Sequence, residues 1–186
     1  MRQKGLYSRS EMLQMNIETL KKRTVSVEEI AEVAYRQQSK WSEDVTMSMC
    51  IDSVEKILSL RDVFHLLQLG AEIDRLTDEG VFEGPIQEIL KVDLGMFGID
   101  ELFGLELAGL YGTIGKTNFG DIDVNKPLVI NRLNSEGKEG GMCHTFLDDI
   151  VGAIAAAAST RVAQIINENI AHKDPGVEEI KLDLDL

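Results

Sequence analysis

Cysteine is scarce in this sequence. Cys50 and Cys143 are the only two in 186 residues, and they form no CxxC pair, which excludes a disulfide framework and fits reduced thiols in a cytoplasmic protein. Positive charge is also short. Nineteen Lys and Arg against 32 Asp and Glu leave a net charge of -13, which excludes unassisted nucleic-acid binding and a basic membrane-surface patch. A phosphorylated ligand stays open, provided metal ions mask the acids. Strand signals are missing too, since no stretch shows a convincing apolar/polar alternation or a hairpin turn. No apolar run approaches the roughly 20 residues of a membrane span, and Met1–Ser10 is too polar for a signal peptide. The expectation is a soluble chain with no transmembrane segment and at most peripheral membrane contact.

What is present is helical periodicity around an ample apolar fraction, 44% of the chain. That supports one globular domain over residues 1–186, all-α and multihelical. Ser8-Arg9-Ser10-Glu11 and Ser26-Val27-Glu28-Glu29 are capping boxes and open two helices. A third helix is expected from near Thr46, a fourth from Asp62, and a short fifth from Gly84-Pro85. The texture changes after Val92, where glycine becomes frequent, so residues 1–92 and 93–173 read as two parts of the domain. Asp100 to Tyr111 reads as a helix, Gly112 to Asn125 as a loop and Pro127 to Leu133 as a helix. Residues 174–186 read as an acidic, frayed tail, with Ile180 and Leu182 as its possible contacts.

The stretch Gly140–Thr160, GGMCHTFLDDIVGAIAAAAST, organises the second part. Thr145 and Asp148 have capping-box spacing, so Thr145 is expected as N-cap and Asp148 as the third helical residue. No charge follows from Ile150 to Thr160, which predicts a buried, alanine-rich central helix. Asp148 and Asp149 then sit where at least one must be buried, and a buried carboxylate needs hydrogen-bond donors or a cation. Stabilisation by the helix dipole and a metal site are equally open at this point.

Two familiar motifs fail. Gly115-Lys116-Thr117 lacks the glycine five residues earlier that a phosphate loop requires, because position 110 is leucine. Asp121 to Asn125 begins like a calcium loop but continues with Lys126 in place of glycine and reaches Arg132 in place of glutamate. A constellation remains: Asp100 and Glu101 at one helix start, Asp121, Asp123 and Lys126 before Pro127, and Asp148 and Asp149 at another helix mouth. Converging carboxylates repel unless a cation lies between them. Hard oxygen ligands with open water positions suit Mg²⁺.

Asp100-Glu101-Leu102-Phe103-Gly104, Asp123-Val124-Asn125-Lys126-Pro127 and Asp148-Asp149-Ile150-Val151-Gly152-Ala153 resemble the phosphatidylglycerophosphatase A family in order and spacing. The resemblance spans roughly Gly95 to Thr160. The chain lacks the N-terminal Pro-Gly-Thr element and long apolar helices of the membrane-embedded members, and looks closer to the soluble branch of Gram-positive bacteria. The resemblance implies an all-α, Mg²⁺-dependent phosphatase acting on a lipid phosphomonoester; the wider family includes phosphatases of α-ribazole phosphate. It implies metal ligands at Asp100, Glu101, Asp123, Asp148 and Asp149, and a phosphoryl contact at Lys126. Asp149 and Lys126 are the catalytic candidates. His144, close to the acids in sequence, is a third, as donor to the leaving oxygen, with capping or packing as the alternative. The expected partner is a phosphorylated small molecule or lipid headgroup. Leu102, Phe103, Leu105, Leu107, Leu110 and the alanine-rich helix offer more apolar surface than one layer covers, so a homo-oligomer is expected.

Overall fold

The structure, a computed structural model, describes residues 6–173; the expected acidic tail lies outside them. Nine helices and no strand occur among the described residues. Helix α1 (Arg9–Lys22) and α2 (Val27–Gln38) each start on a complete capping box, from Ser8 to Glu11 and from Ser26 to Glu29. The Thr46 side chain accepts from the Met49 amide to start α3 (Met47–Leu58). Helices α4 (Arg61–Asp78) and α5 (Pro85–Lys91) follow, the latter with proline in its first turn. Next come α6 (Ile99–Gly109), α7 (Gly112–Asn125), α8 (Val129–Lys138) and α9 (Leu147–Lys173).

Helix α9 is the axis of the molecule. It packs against α2, α3, α4, α6, α7 and α8, and every residue from Leu147 to Thr160 is buried. A helix apolar on all sides has no solvated face to offer, so it is stable only when others enclose it. Alanine and Gly152 keep its girth small and let six neighbours reach it. One hydrophobic cluster runs from Leu20 and Ile30 through Leu67 to Phe119 and Ile166. The expectation that no apolar run reaches spanning length needs correction here. Leu147–Ile170 is long and apolar enough to cross a membrane, but 78% of its most apolar window is buried inside the protein. Its role is that of a core helix.

Two further expectations are corrected by packing. Gly112–Asn125 is a helix, not a loop. Its glycines weaken it in isolation, yet Gly115 lies against the Ala108 backbone of α6, and Phe119 and Ile122 are buried. Asn118 also bonds Thr160 of α9 at 3.0 Å. The glycines that argued for a loop are what allow α7 to lie so close to α6. The second correction concerns Thr145, whose hydroxyl donates to the Leu90 carbonyl at 2.7 Å and caps nothing. The amides of Phe146 and Leu147 are instead satisfied by Asp74 of α4, at 3.1 and 3.0 Å. The start of α9 is capped from another helix.

Candidate metal and phosphate site

Four helix ends and one loop enclose a cleft of about 190 Å³, lined by residues of 93–101 together with Asp123, Lys126, Asn134, Lys138, Asp148 and Asp149. Each arrives for a local reason. Gly98 takes a left-handed conformation (φ 69°) just before α6, which sets Asp100 and Glu101 on the first turn. Lys126 ends α7, also left-handed (φ 41°, ψ 58°), with its N–H bonded to the Ile122 carbonyl. That conformation is uncommon for a residue with a side chain. Here it accompanies a Lys126 ammonium held among carboxylates: 2.6 Å from Asp123 Oδ1, 3.0 Å from Asp148 Oδ2 and 3.6 Å from Asp149 Oδ1. Helix α8 contributes Asn134 and Lys138, one turn apart, joined by a 2.7 Å bond from Lys138 Nζ to Asn134 Oδ1.

The acids are buried to different degrees. Asp148 and Asp149 are each 4% exposed and Asp100 is 8% exposed, Asp123 is half-buried, and Glu101 stands at the open rim. Asp148 accepts from Lys126 and, through Oδ1, from the Asp149 amide at 2.9 Å. Asp100 accepts from the Glu101 amide at 3.0 Å. The Asp149 carboxylate accepts no hydrogen bond from the described residues, and Lys126 at 3.6 Å is its nearest cation.

These environments shift the protonation equilibria. Burial raises Asp149 far above the usual carboxylate range, and the adjacent Asp148 charge raises it further, against the opposing pull of Lys126. Asp148 is also raised by burial, with Lys126 again opposing. Asp100 is raised by burial and by the nearby Asp93. For Lys126, burial disfavours the ammonium, but the surrounding carboxylates outweigh it and hold the group charged.

Six carboxylates (Asp93, Asp100, Glu101, Asp123, Asp148, Asp149) thus face two ammonium groups (Lys126, Lys138) around one cleft. The donor set is hard oxygen throughout and carries excess negative charge, which fits Mg²⁺. The Asp149 carboxylate, buried and without a donor among the described residues, is the group such an ion would satisfy. Against this, no three His, Cys, Asp or Glu side chains among the described residues form a ready-made metal cage. Lys126 holds the central place between Asp123 and the α9 pair. The acids are gathered, but not closed around a point.

The structure brings Asp100, Glu101, Asp123, Lys126, Asp148 and Asp149 to this cleft. It leaves two residues outside. Asp121 turns outward and pairs with Lys40 at 3.8 Å. His144 is buried but bonds Glu136 at 3.1 Å and does not line the cleft, so a proton donor to a substrate there must be another group. Burial, then the charge of Arg23, lowers the His144 pKa against the opposing pull of Glu136. Sequence reasoning missed Asp93, Asn134 and Lys138. The sequence reading ended that helix at Leu133, whereas α8 runs to Lys138 and so carries Asn134 and Lys138 one turn apart on it.

Residues 42–164 match the family model described as phosphatidylglycerophosphatase A. The chain is 42% identical to the protein YutG of Bacillus subtilis (strain 168) over 144 residues, 77% of this chain and 86% of that one. It is 37% identical to YpjQ of the same organism over 177 residues, 95% of each. The crystal structure of YpjQ superposes with a TM-score of 0.81, covering 88% of this chain and 99% of that one. The low temperature requirement C protein from Listeria monocytogenes also superposes at 0.81, with 36% identity, over 86% of this chain and 99% of that one.

Proposed function

The chain belongs to the phosphatidylglycerophosphatase A family, and from that premise we propose that it is a Mg²⁺-dependent phosphomonoesterase whose favoured substrate is phosphatidylglycerophosphate. One observation carries the reading: an Asp149 carboxylate that is 4% exposed and has no hydrogen-bond donor among the described residues, in a cleft where acids outnumber lysines six to two. Asp100, Asp123, Asp148 and Asp149 would hold the ion, with Glu101 within reach at the rim. When bound, Mg²⁺ supplies charge neutralisation at the phosphoryl oxygens and activation of water. Lys126 is the group for the phosphoryl charge, as a point cation on a flexible stem. Lys138, oriented by Asn134, offers a second cation at the cleft edge. The cleft has room for a phosphoryl group and a few attached atoms, so the rest of a lipid lies outside it. In this reading the protein is cytoplasmic and meets its substrate at a membrane surface.

The lysine-centred geometry favours a second reading, a helical interaction protein in which Lys126 alone neutralises the acids and no ion binds. Hydrolysis assays with Mg²⁺ on phosphatidylglycerophosphate and on soluble phosphomonoesters, α-ribazole phosphate included, separate the two. Asp149→Asn provides the internal control. The expected outcome is Mg²⁺-dependent release of phosphate by the wild type, with the lipid preferred, and a loss of at least about a hundredfold in the variant. Mg²⁺ should raise the melting temperature of the wild type and hardly that of the variant, as linkage requires for a ligand of the native state. If Asp149 only caps α9, the change costs roughly 0.3–1 kcal/mol and is indifferent to Mg²⁺.

A further inference from the structure

We propose that Asp74, on α4 and outside the cleft, is a positioning residue for the acid pair of α9. The first amides of a helix have no partner within it and must be satisfied from elsewhere. At α9 a single side chain does this in two-pronged fashion: Oδ1 of Asp74 accepts from Phe146 N at 3.1 Å and Oδ2 from Leu147 N at 3.0 Å. Asp148 is the next residue. One turn further along α4, Asp78 accepts from Cys143 N at 2.7 Å and from Arg23 Nη1 at 2.8 Å. Arg23 in turn donates to the Cys143 carbonyl.

The entry to α9 is therefore held at residues 143, 146 and 147 by two carboxylates on one face of α4. Asp74 has no solvent exposure, and a fully buried carboxylate is costly. A local cap such as Thr145 would satisfy one amide without that burial. The bidentate carboxylate instead sets the axial position of the first turn relative to α4. Asp148 and Asp149 are rigidly attached to that turn, so their distances to Lys126 and Asp100 follow. Supporting groups behind metal-binding side chains commonly change metal affinity or activity about 10–100-fold when altered.

The test compares Asp74→Asn with Leu67→Ala. Asparagine keeps the shape but turns one acceptor into an amide donor facing an N–H. Leu67 is a fully buried core residue on the same helix, and its truncation lowers stability while leaving the Asp74 hydrogen bonds to residues 146 and 147 in place. Both variants should melt below the wild type. Asp74→Asn should also raise the Mg²⁺ concentration for half-maximal thermal stabilisation at least about tenfold and lower kcat by a similar factor, with KM within about twofold. Leu67→Ala should leave these quantities close to wild type. If the two variants behave alike, Asp74 is a stability residue and the proposal is overturned.

Amide exchange in the wild type provides a measurement that needs no variant. The Phe146 and Leu147 amides should be protected like those of the α9 interior, and selectively deprotected in Asp74→Asn. Rapid exchange there in the wild type overturns the proposal even if the variant fails to fold. The kinetic part rests on the phosphatase reading, but the exchange part does not. A wild type with no hydrolysis and no Mg²⁺ response defeats that reading, while protection at residues 146 and 147 still decides whether Asp74 positions the pair.

Discussion

Asp148 and Asp149 differ by one position, yet a helix separates them by 100° and gives them different surroundings. Asp148 faces Lys126 and the Asp149 amide. Asp149 faces other acids and, among the described residues, has no donor. Their buried charges make the metal-free protein sensitive to pH in a direction unusual for carboxylates. Asp74 is raised by burial from 3.8 to about 7, and Asp148 and Asp149 are also raised. The native state therefore keeps protons that the unfolded chain has already released. Their stabilising contribution is complete below the unfolded value of 3.8 and is lost as pH rises through the folded values. His144 works the other way, since its pKa is lowered and it costs stability only below its ordinary value of 6.5. Asp100 is raised as well, and four carboxylates outweigh one histidine. In EDTA, the melting temperature should fall by on the order of 5 °C between about pH 6 and pH 8, as read by calorimetry, and less steeply in Asp149→Asn. Mg²⁺ should restore most stability at the alkaline end, where its ligands are free of protons. A flat or rising profile in EDTA would show that these acids are already neutralised.

At the scale of helices, the informative feature is how α6 and α7 approach each other and α9. A Cβ on Gly104 would come within 2.3 Å of the tip of the Phe119 ring, whereas one on Gly120 would meet nothing within 4 Å. Both glycines are helical, so intrinsic propensity alone would favour alanine at either by about 0.5–1 kcal/mol. Packing reverses the sign at one of them. Gly120→Ala should stabilise by roughly that amount, and Gly104→Ala should destabilise by about 1–3 kcal/mol through overpacking, both measured by urea unfolding. Because α7 ends at Lys126, Gly104→Ala should also weaken the Mg²⁺ response. Equal effects of the two substitutions would mean that α6 and α7 are not in the close contact described.

For the whole molecule, the question is what covers the remaining apolar surface. The alanine-rich part of α9, Ile150–Thr160, is enclosed and offers none, contrary to the expectation that it would contribute to an interface, and Leu107 is likewise fully buried. Ile99, Leu102, Leu105, Leu110 and Ile114, along α6 and into α7, remain exposed, with Leu102 at 60%. Exposed apolar side chains grouped in this way make a candidate contact surface, for which two-fold association is the commonest outcome. The expected result is a dimer by light scattering at micromolar concentration, shifted to monomer by Leu102→Glu. A wild-type monomer would refute the association.

Much of this protein was determined by sequence alone, wherever the controlling physics is local. Ser8 and Ser26 cap their own helices, the 3.6-residue periodicity builds α1 to α4, and the uncharged run from Ile150 to Thr160 demands burial. The acids of the cleft were legible because carboxylates at helix mouths in a glycine-rich half are expensive to leave unpaired. What the tertiary structure decided is whatever depends on partners distant in sequence. Gly112–Asn125 is helical because α6 and α9 enclose it, an effect that propensity cannot register. Thr145 lost the capping role because Asp74, some seventy residues earlier, supplies a buried bidentate acceptor. His144 lies near the acids in sequence, but the turn into α9 directs it to Glu136. Asp93, Asn134 and Lys138 joined the cleft through the packing of α8 and the loop before α6. A sequence states which groups need partners, and only the folded chain decides which partners come within reach.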